Sequence, residues 1–173
     1  MPLTPRVPKL LAVTLCIILA GLSPARAQEA LGDDPSNPPG VSESLTEKAK
    51  PLLKALSLIG TPYKFGSSKP EQGMDCSGFV RHVYKESNAL SLPRTARDMS
   101  REGVEVSESE LKPGDLVFFN TRNKPFSHVG IYAGNGEFVH ASSRASKQVT
   151  VSRMGDRYWS TRFNGARRVL AAP

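Results

Sequence analysis

The chain has 173 residues, 39% of them hydrophobic, and a net charge of +7, which suits one domain with a packed core. Its basic residues form no dense cluster, so composition argues against a nucleic-acid partner.

Residues 1–27 read as a secretory signal peptide. Arg6 and Lys9 precede an apolar run from Leu10 to Leu22 broken by one threonine, and Ser23-Pro24-Ala25-Arg26-Ala27 supplies a small-x-small cleavage site. The run is too short and wrongly flanked for a membrane span, so no transmembrane segment is expected. Lipid attachment at Cys16 is disfavoured because Leu15, not a small residue, precedes it. Cleavage after Ala27 removes three basic residues and no acid, which leaves a charge of +4. A mildly basic exported chain suits an acidic wall polymer or a carboxylate-rich peptide as partner. Cleavage also removes Cys16, leaving Cys76 as the single cysteine with no internal disulfide possible. A lone thiol in an oxidising compartment is a liability, and its presence favours a chemical role.

Residues 28–44 are rich in Pro, Gly and acids and read as a disordered linker, so the domain is expected over 45–173. Ala49, Leu52, Leu53, Leu56 and Ile59 predict a helix from about Thr46 that Gly60 ends, with Pro51 confining its regular part to Lys50 onward. Gly60 to Gly66 reads as a turn or short extended piece that delivers Tyr63 ahead of the next helix. In that helix Cys76, Phe79, Val80, Val83 and Tyr84 recur at helical spacing, which turns the thiol inward at the first turn. Unpaired N–H groups and the helix dipole favour a thiolate there. The plainer alternative is a small buried hydrophobe.

Thr95 is a plausible N-cap for a short helix to about Arg101, and Lys112 to Asp115 is a turn. Leu116 to Phe119 is a buried strand; His128 to Ala133, Glu137 to Ser142 and Val149 to Arg153 are three more, and Ala166 to Leu170 closes the sheet. Helices followed by an antiparallel meander make the fold class α+β.

A cysteine nucleophile needs a base, and three histidines follow it. His82 lies six residues on, about 9 Å along the axis and about 120° round the helix, so it points away and reads as a solvated surface residue. His128 and His140 stand in a sequence-distant hairpin and are the candidates. A two-residue Asn135-Gly136 turn would put Ile131 opposite His140 and the two histidines on opposite faces. A three-residue Gly134-Asn135-Gly136 loop, with Gly136 left-handed, would put Gly130 opposite His140 and both on one face. That second register builds a site, and Gly130 would then let the Cys76 helix approach closely.

Asp75-Cys76-Ser77-Gly78-Phe79-Val80, Gly60-Thr61-Pro62-Tyr63, Leu92-Pro93-Arg94, Pro113-Gly114-Asp115-Leu116, His128-Val129-Gly130-Ile131-Tyr132 and Phe138-Val139-His140-Ala141 together resemble the NlpC-type cell-wall peptidases. Tyr158-Trp159 and Arg162 to Val169 look like the MepS/Spr murein endopeptidase branch of that family. The resemblance implies a papain-like α+β fold and hydrolysis of peptidoglycan stem peptides, and the signal peptide places the expected product in the periplasm or the medium. It implies Cys76 as nucleophile, His128 as base and His140 as the residue that orients the His128 ring. Tyr63 would help hold the oxyanion, and Asp75, Ser77 and Arg94 would hold substrate. For Asp75 the alternative is helix capping, and for Arg94 a surface salt bridge. The MepS-like end favours cleavage of the D-Ala to meso-diaminopimelate cross-link, whereas the wider family also cuts after D-Glu. No cofactor and no metal are expected, since one cysteine and two histidines lack a fourth ligand, and the protein is expected to be a monomer. A wall-binding module without catalysis and a thiol acyltransferase of the same fold are the competing classes.

Overall fold

The computed structural model describes residues 49–144 and 146–170. The expected leader over 1–27, the linker over 28–44 and the start of the first predicted helix lie outside the described residues.

Helix α1 is seen over 49–57, and the chain turns at Gly60 with φ +91°. The apolar period marks a helix, but only part of its apolar set is buried. Pro51 and Ala55 are buried and Leu52 and Leu58 pack partly, whereas Leu53, Leu56 and Ile59 are exposed. Beyond the turn, residues 60–63 run along the Val149 end of the sheet, where the Tyr63 N–H donates to the Lys147 carbonyl. Strands β1 (Ser68–Lys69) and β2 (Gly73–Met74) pair antiparallel and lead into α2, Cys76–Asn88.

Asp75 caps α2 by accepting the Gly78 N–H at 2.7 Å, and left-handed Ala89 ends it. Phe79, Val80, Val83 and Tyr84 are fully buried, as the helical spacing predicts, and Cys76 packs at the margin of the same cluster. His82, on the same helix, is half-buried rather than solvated, and burial followed by the Lys54 charge lowers its pKa. Helix α3, Ala96–Met99, is one turn long and ends two residues before the predicted Arg101, capped by the Thr95 hydroxyl on the Asp98 N–H.

Strands β3 (Val104–Val106), β4 (Leu116–Phe119), β5 (His128–Gly134), β6 (Glu137–Ala141), β7 (Val149–Arg153) and β8 (Phe163–Arg168) form one antiparallel sheet in the order β3-β8-β4-β5-β6-β7. The predicted meander is β4 to β7. β8 starts earlier than expected and lies inside the sheet between β3 and β4 rather than closing it, because β3, too short and polar to stand out in the sequence, pairs on its far side. All four residues of β4 are buried since both faces of the sheet are covered. Leu116 and Phe118 join the core that α2 fills, while Val117 and Phe119 join a second core with Phe138, Met154 and Trp159. α2 packs on β5 and β6.

The hairpin between β5 and β6 corrects one expectation and upholds its consequence. Its turn has two residues, Asn135 and Gly136, at φ +52° and +74°. A bulge between Tyr132 and Gly134 then shifts the register, so Ile131 pairs with Val139 and Gly130 falls opposite His140. The bulge does what a three-residue loop would have done. Gly130 also faces away from α2: a Cβ there would lie 2.6 Å from the Phe138 ring and 2.9 Å from the Val139 carbonyl, so the close approach is by the hairpin and not by the helix. Gly130→Ala is accordingly expected to destabilise by about 1–3 kcal/mol, since a buried backbone carbonyl cannot yield as a flexible side chain would. A urea midpoint unchanged by the substitution would refute this packing.

Candidate active site

Cys76 occupies the first position of α2, and the sulfur comes to the start of β5, where the backbone N–H groups of Val129 and Ser77 face it. His128 is the residue before Val129. Its Nε2 lies 2.9 Å from His140 Nδ1, and His140 Nε2 lies 3.0 Å from Ser152 Oγ. The shared face of β5 and β6 thus carries a continuous chain of three polar side chains. Ser152, on β7, pairs with Phe138 and reaches His140 diagonally. Trp159, from α4 (Arg157–Ser160), stacks on the His128 ring at 5.5 Å and packs edge-on to His140 at 4.9 Å. His128 is 7% and His140 1% exposed, so both rings are held in one orientation. Among the described residues no hydrogen bond joins the thiol directly to either imidazole.

Burial sets the resting charges. It pushes His128 from 6.5 to about 4, with the Arg122 charge acting in the same direction, and it carries His140 well below its ordinary value with help from His128. Burial and then the Asp75 carboxylate raise the Cys76 thiol, against the pull of the Val129 and Ser77 N–H groups. This corrects the expectation of a thiolate at rest: the helix N-terminus is present, but desolvation and Asp75 outweigh it. The resting site is a neutral thiol beside neutral imidazoles.

The depressed His128 predicts a stability window. The unfolded chain takes up a proton there below 6.5 that the native chain refuses until about 4, so stability falls as pH drops through that interval, by at most about 3 kcal/mol for this group. Urea midpoints measured from pH 7 to 4 should fall, and His128→Asn should flatten the slope.

Asp75, Ser77 and Arg94 form one cluster. Arg94 grips both Asp75 oxygens at 3.0 and 2.6 Å and donates to Ser77 Oγ at 2.9 Å, while Asp75 also accepts the Gly66 N–H. Burial alone would raise the Asp75 pKa; Arg94 and the Gly78 and Gly66 N–H groups overcome that and lower it. Both plainer readings therefore hold: Asp75 is the helix cap, and Arg94 is its salt-bridge partner. Tyr63 is half-exposed at the same cleft, its pKa raised by burial and then by Cys76.

Two clefts flank the site. One, of about 770 Å³, is lined by Tyr63, Cys76, Ser77 and Arg94; the other, of about 810 Å³, by His128, His140, Ser152 and Trp159. Arg122 lines both. Ser152, Trp159 and Arg122 are additions that sequence reading did not assign to the site, and no local pattern announces them. Among the described residues no cluster of three or more His, Cys, Asp or Glu could hold a metal, and no helix is long and apolar enough to cross a membrane.

Comparison with known proteins agrees with this framework. The chain is 46% identical over 112 residues to "Murein DD-endopeptidase MepS/Murein LD-carboxypeptidase" of Escherichia coli K12, covering 65% of this chain and 57% of that protein. It is 43% identical over 118 residues to "Gamma-DL-glutamyl hydrolase" of Bacillus subtilis 168, covering 68% of this chain but 28% of the relative. Among solved structures, an NLP/P60-family protein from Staphylococcus aureus superposes with a TM-score of 0.65 at 33% identity, over 73% of this chain and 42% of that one. The chain therefore spans little more than half the length, or less, of these relatives. The model of the NlpC/P60 family matches residues 60–168, a stretch that holds Cys76, His128 and His140 and the sheet and helix between them, and the chain belongs to that family.

Proposed function

We propose that the protein is an exported thiol endopeptidase that hydrolyses an amide bond in peptidoglycan stem peptides or their cross-links. The observation that carries this reading is the His128–His140–Ser152 chain opening beside a helix-borne cysteine. His128 Nδ1 takes the thiol proton as sulfur attacks the amide carbonyl, which requires His128 Nε2 to carry a proton and donate it to His140 Nδ1. His140 then carries its proton on Nε2 and donates to Ser152 Oγ, so one run of hydrogen bonds selects the productive tautomer of both rings. The Cys76 backbone N–H and the Tyr63 hydroxyl hold the oxyanion. Protonated His128 returns the proton to the leaving nitrogen as the C–N bond breaks. Water, deprotonated by the same ring, then splits the thioester and frees the carboxylate and the thiol. Asp75 and Ser77, made rigid by Arg94, form the wall on which the acyl part of the substrate rests.

The D-Ala to meso-diaminopimelate bond is the favoured target, supported by the likeness to MepS; the likeness to a γ-DL-glutamyl hydrolase supports cleavage after D-Glu as the second reading. Digestion of purified peptidoglycan followed by mass spectrometry tests both. Cross-linked dimers should give monomers with intact tetrapeptides, whereas fragments ending at D-Glu would favour the second cut. With Cys76 verified as reduced, release of neither product would count against the peptidase reading itself.

A further inference from the structure

We propose that Arg122 binds a carboxylate flanking the scissile amide and thereby selects acidic over amidated substrates. The inference rests on the peptidase reading of the site. It replaces the role first expected of Arg94, whose guanidinium already grips Asp75. Arg168 is likewise held by Asp115. For Arg122, by contrast, no carboxylate among the described residues lies within ion-pair range.

Its position is built. Arg122 stands on the β4–β5 connection, where Ser127 Oγ accepts the N–H groups of Thr121 at 2.9 Å and Arg122 at 3.3 Å, so the backbone beneath it is anchored. The side chain reaches out over the Phe65 ring, 5.5 Å from its centroid, and comes near enough to the Tyr63 hydroxyl to favour its ionised form, so it crosses from one wall of the cysteine-side cleft to the other. An aromatic face and a hydroxyl hold a guanidinium without neutralising it. It is also the one residue shared by the linings of the two clefts, with Cys76 in one and His128 in the other. A bond under attack must lie between the sulfur and the imidazole, so a carboxylate a few atoms from that bond, on its acyl or its amine side, comes within reach of this junction. A carboxylate there can be met in bidentate fashion, and its charge completes a cation that the protein leaves uncompensated. A carboxamide offers one acceptor oxygen and no charge.

Stem peptides present such a carboxylate from either of two sources: the acyl side, as the free α-carboxylate of a γ-linked D-Glu, or the amine side, as the carboxylate beside the leaving nitrogen of the diamino acid. Two pairs of synthetic peptides separate them, each pair differing only by carboxylate or carboxamide at one of these sites. The parent protein is expected to prefer the carboxylate about 10- to 100-fold in kcat/KM within one pair, and that pair names the source. Arg122→Gln should bring the ratio within about 3-fold of one with an unchanged melting temperature, and Arg122→Lys, which keeps charge but loses the fork, should retain part of it. A preference that survives in Arg122→Gln, or a parent with no preference in either pair, overturns the inference. Cleavage of any of the four peptides by the parent upholds the peptidase reading whichever way the ratio falls; a parent that cuts none overturns both.

Discussion

Cys76→Ala and Cys76→Ser are each expected to abolish hydrolysis of peptidoglycan, by at least about 10⁴-fold in kcat, while the protein stays folded. The sulfur is the candidate nucleophile that backbone N–H groups face at a helix start in the cysteine-side cleft, and a hydroxyl at that position has no thiol-like acidity to exploit. The fold loses little. Helix α2 is capped by Asp75 and anchored by Phe79, Val80, Val83 and Tyr84, none of which depends on the thiol. Stability should therefore change by no more than about 1 kcal/mol. Turnover assays on wall fragments beside thermal melts decide it; full activity in either variant would end the thiol mechanism.

The two histidines are expected to differ. His128→Asn removes the proton acceptor and should cost about 10³- to 10⁴-fold, whereas His140→Asn or His140→Gln keeps a hydrogen-bonding side chain beside His128 and should cost about 10- to 100-fold. In the proposed mechanism His140 would act through the His128 ring, from which it lies 2.9 Å while bonding on its far side to Ser152. Ser152→Ala, which frees the His140 tautomer without emptying the site, should cause a smaller loss than either. Equal loss from His128 and His140 would mean that the assignment is wrong or the role is shared. The relevant readout is kcat as well as kcat/KM, because the loss of orientation is a transition-state effect and leaves substrate binding largely intact.

Much of the architecture was legible before any coordinates. The face of α2 could be read because burial on one side of a helix imposes a period that residues 76–84 obey, and β4 could be read because a strand covered on both sides must be apolar throughout. That His128 and His140 share a face is the expectation for a three-residue loop, and it holds for a different reason: the turn has two residues, and a bulge in β5 supplies the shift. A bulge leaves no mark in local composition, since it is a response to the pairing of both strands. Which side of α1 turns inward is likewise decided by the fold. Leu53, Leu56 and Ile59 satisfy the helical period, but which apolar side meets the core depends on how the helix docks.

By itself, then, the sequence determined the main helices and the β4 to β7 meander, the α+β class, the candidate cysteine and the two candidate imidazoles, because each is written in local spacing or in motifs. Only the tertiary structure decided what each polar group meets. Arg94 and Arg122 are indistinguishable as letters, yet one finds a buried carboxylate 19 positions away in the chain and the other faces an open cleft. Ser152 and Trp159 enter the site because β7 pairs beside β6 and α4 folds back across it, bringing them onto the imidazoles. The thiol's resting protonation was decided in the same way. A helix start favours its anion, but whether that preference prevails depends on how much water the fold removes and on which charge it leaves alongside, and here burial and Asp75 prevail.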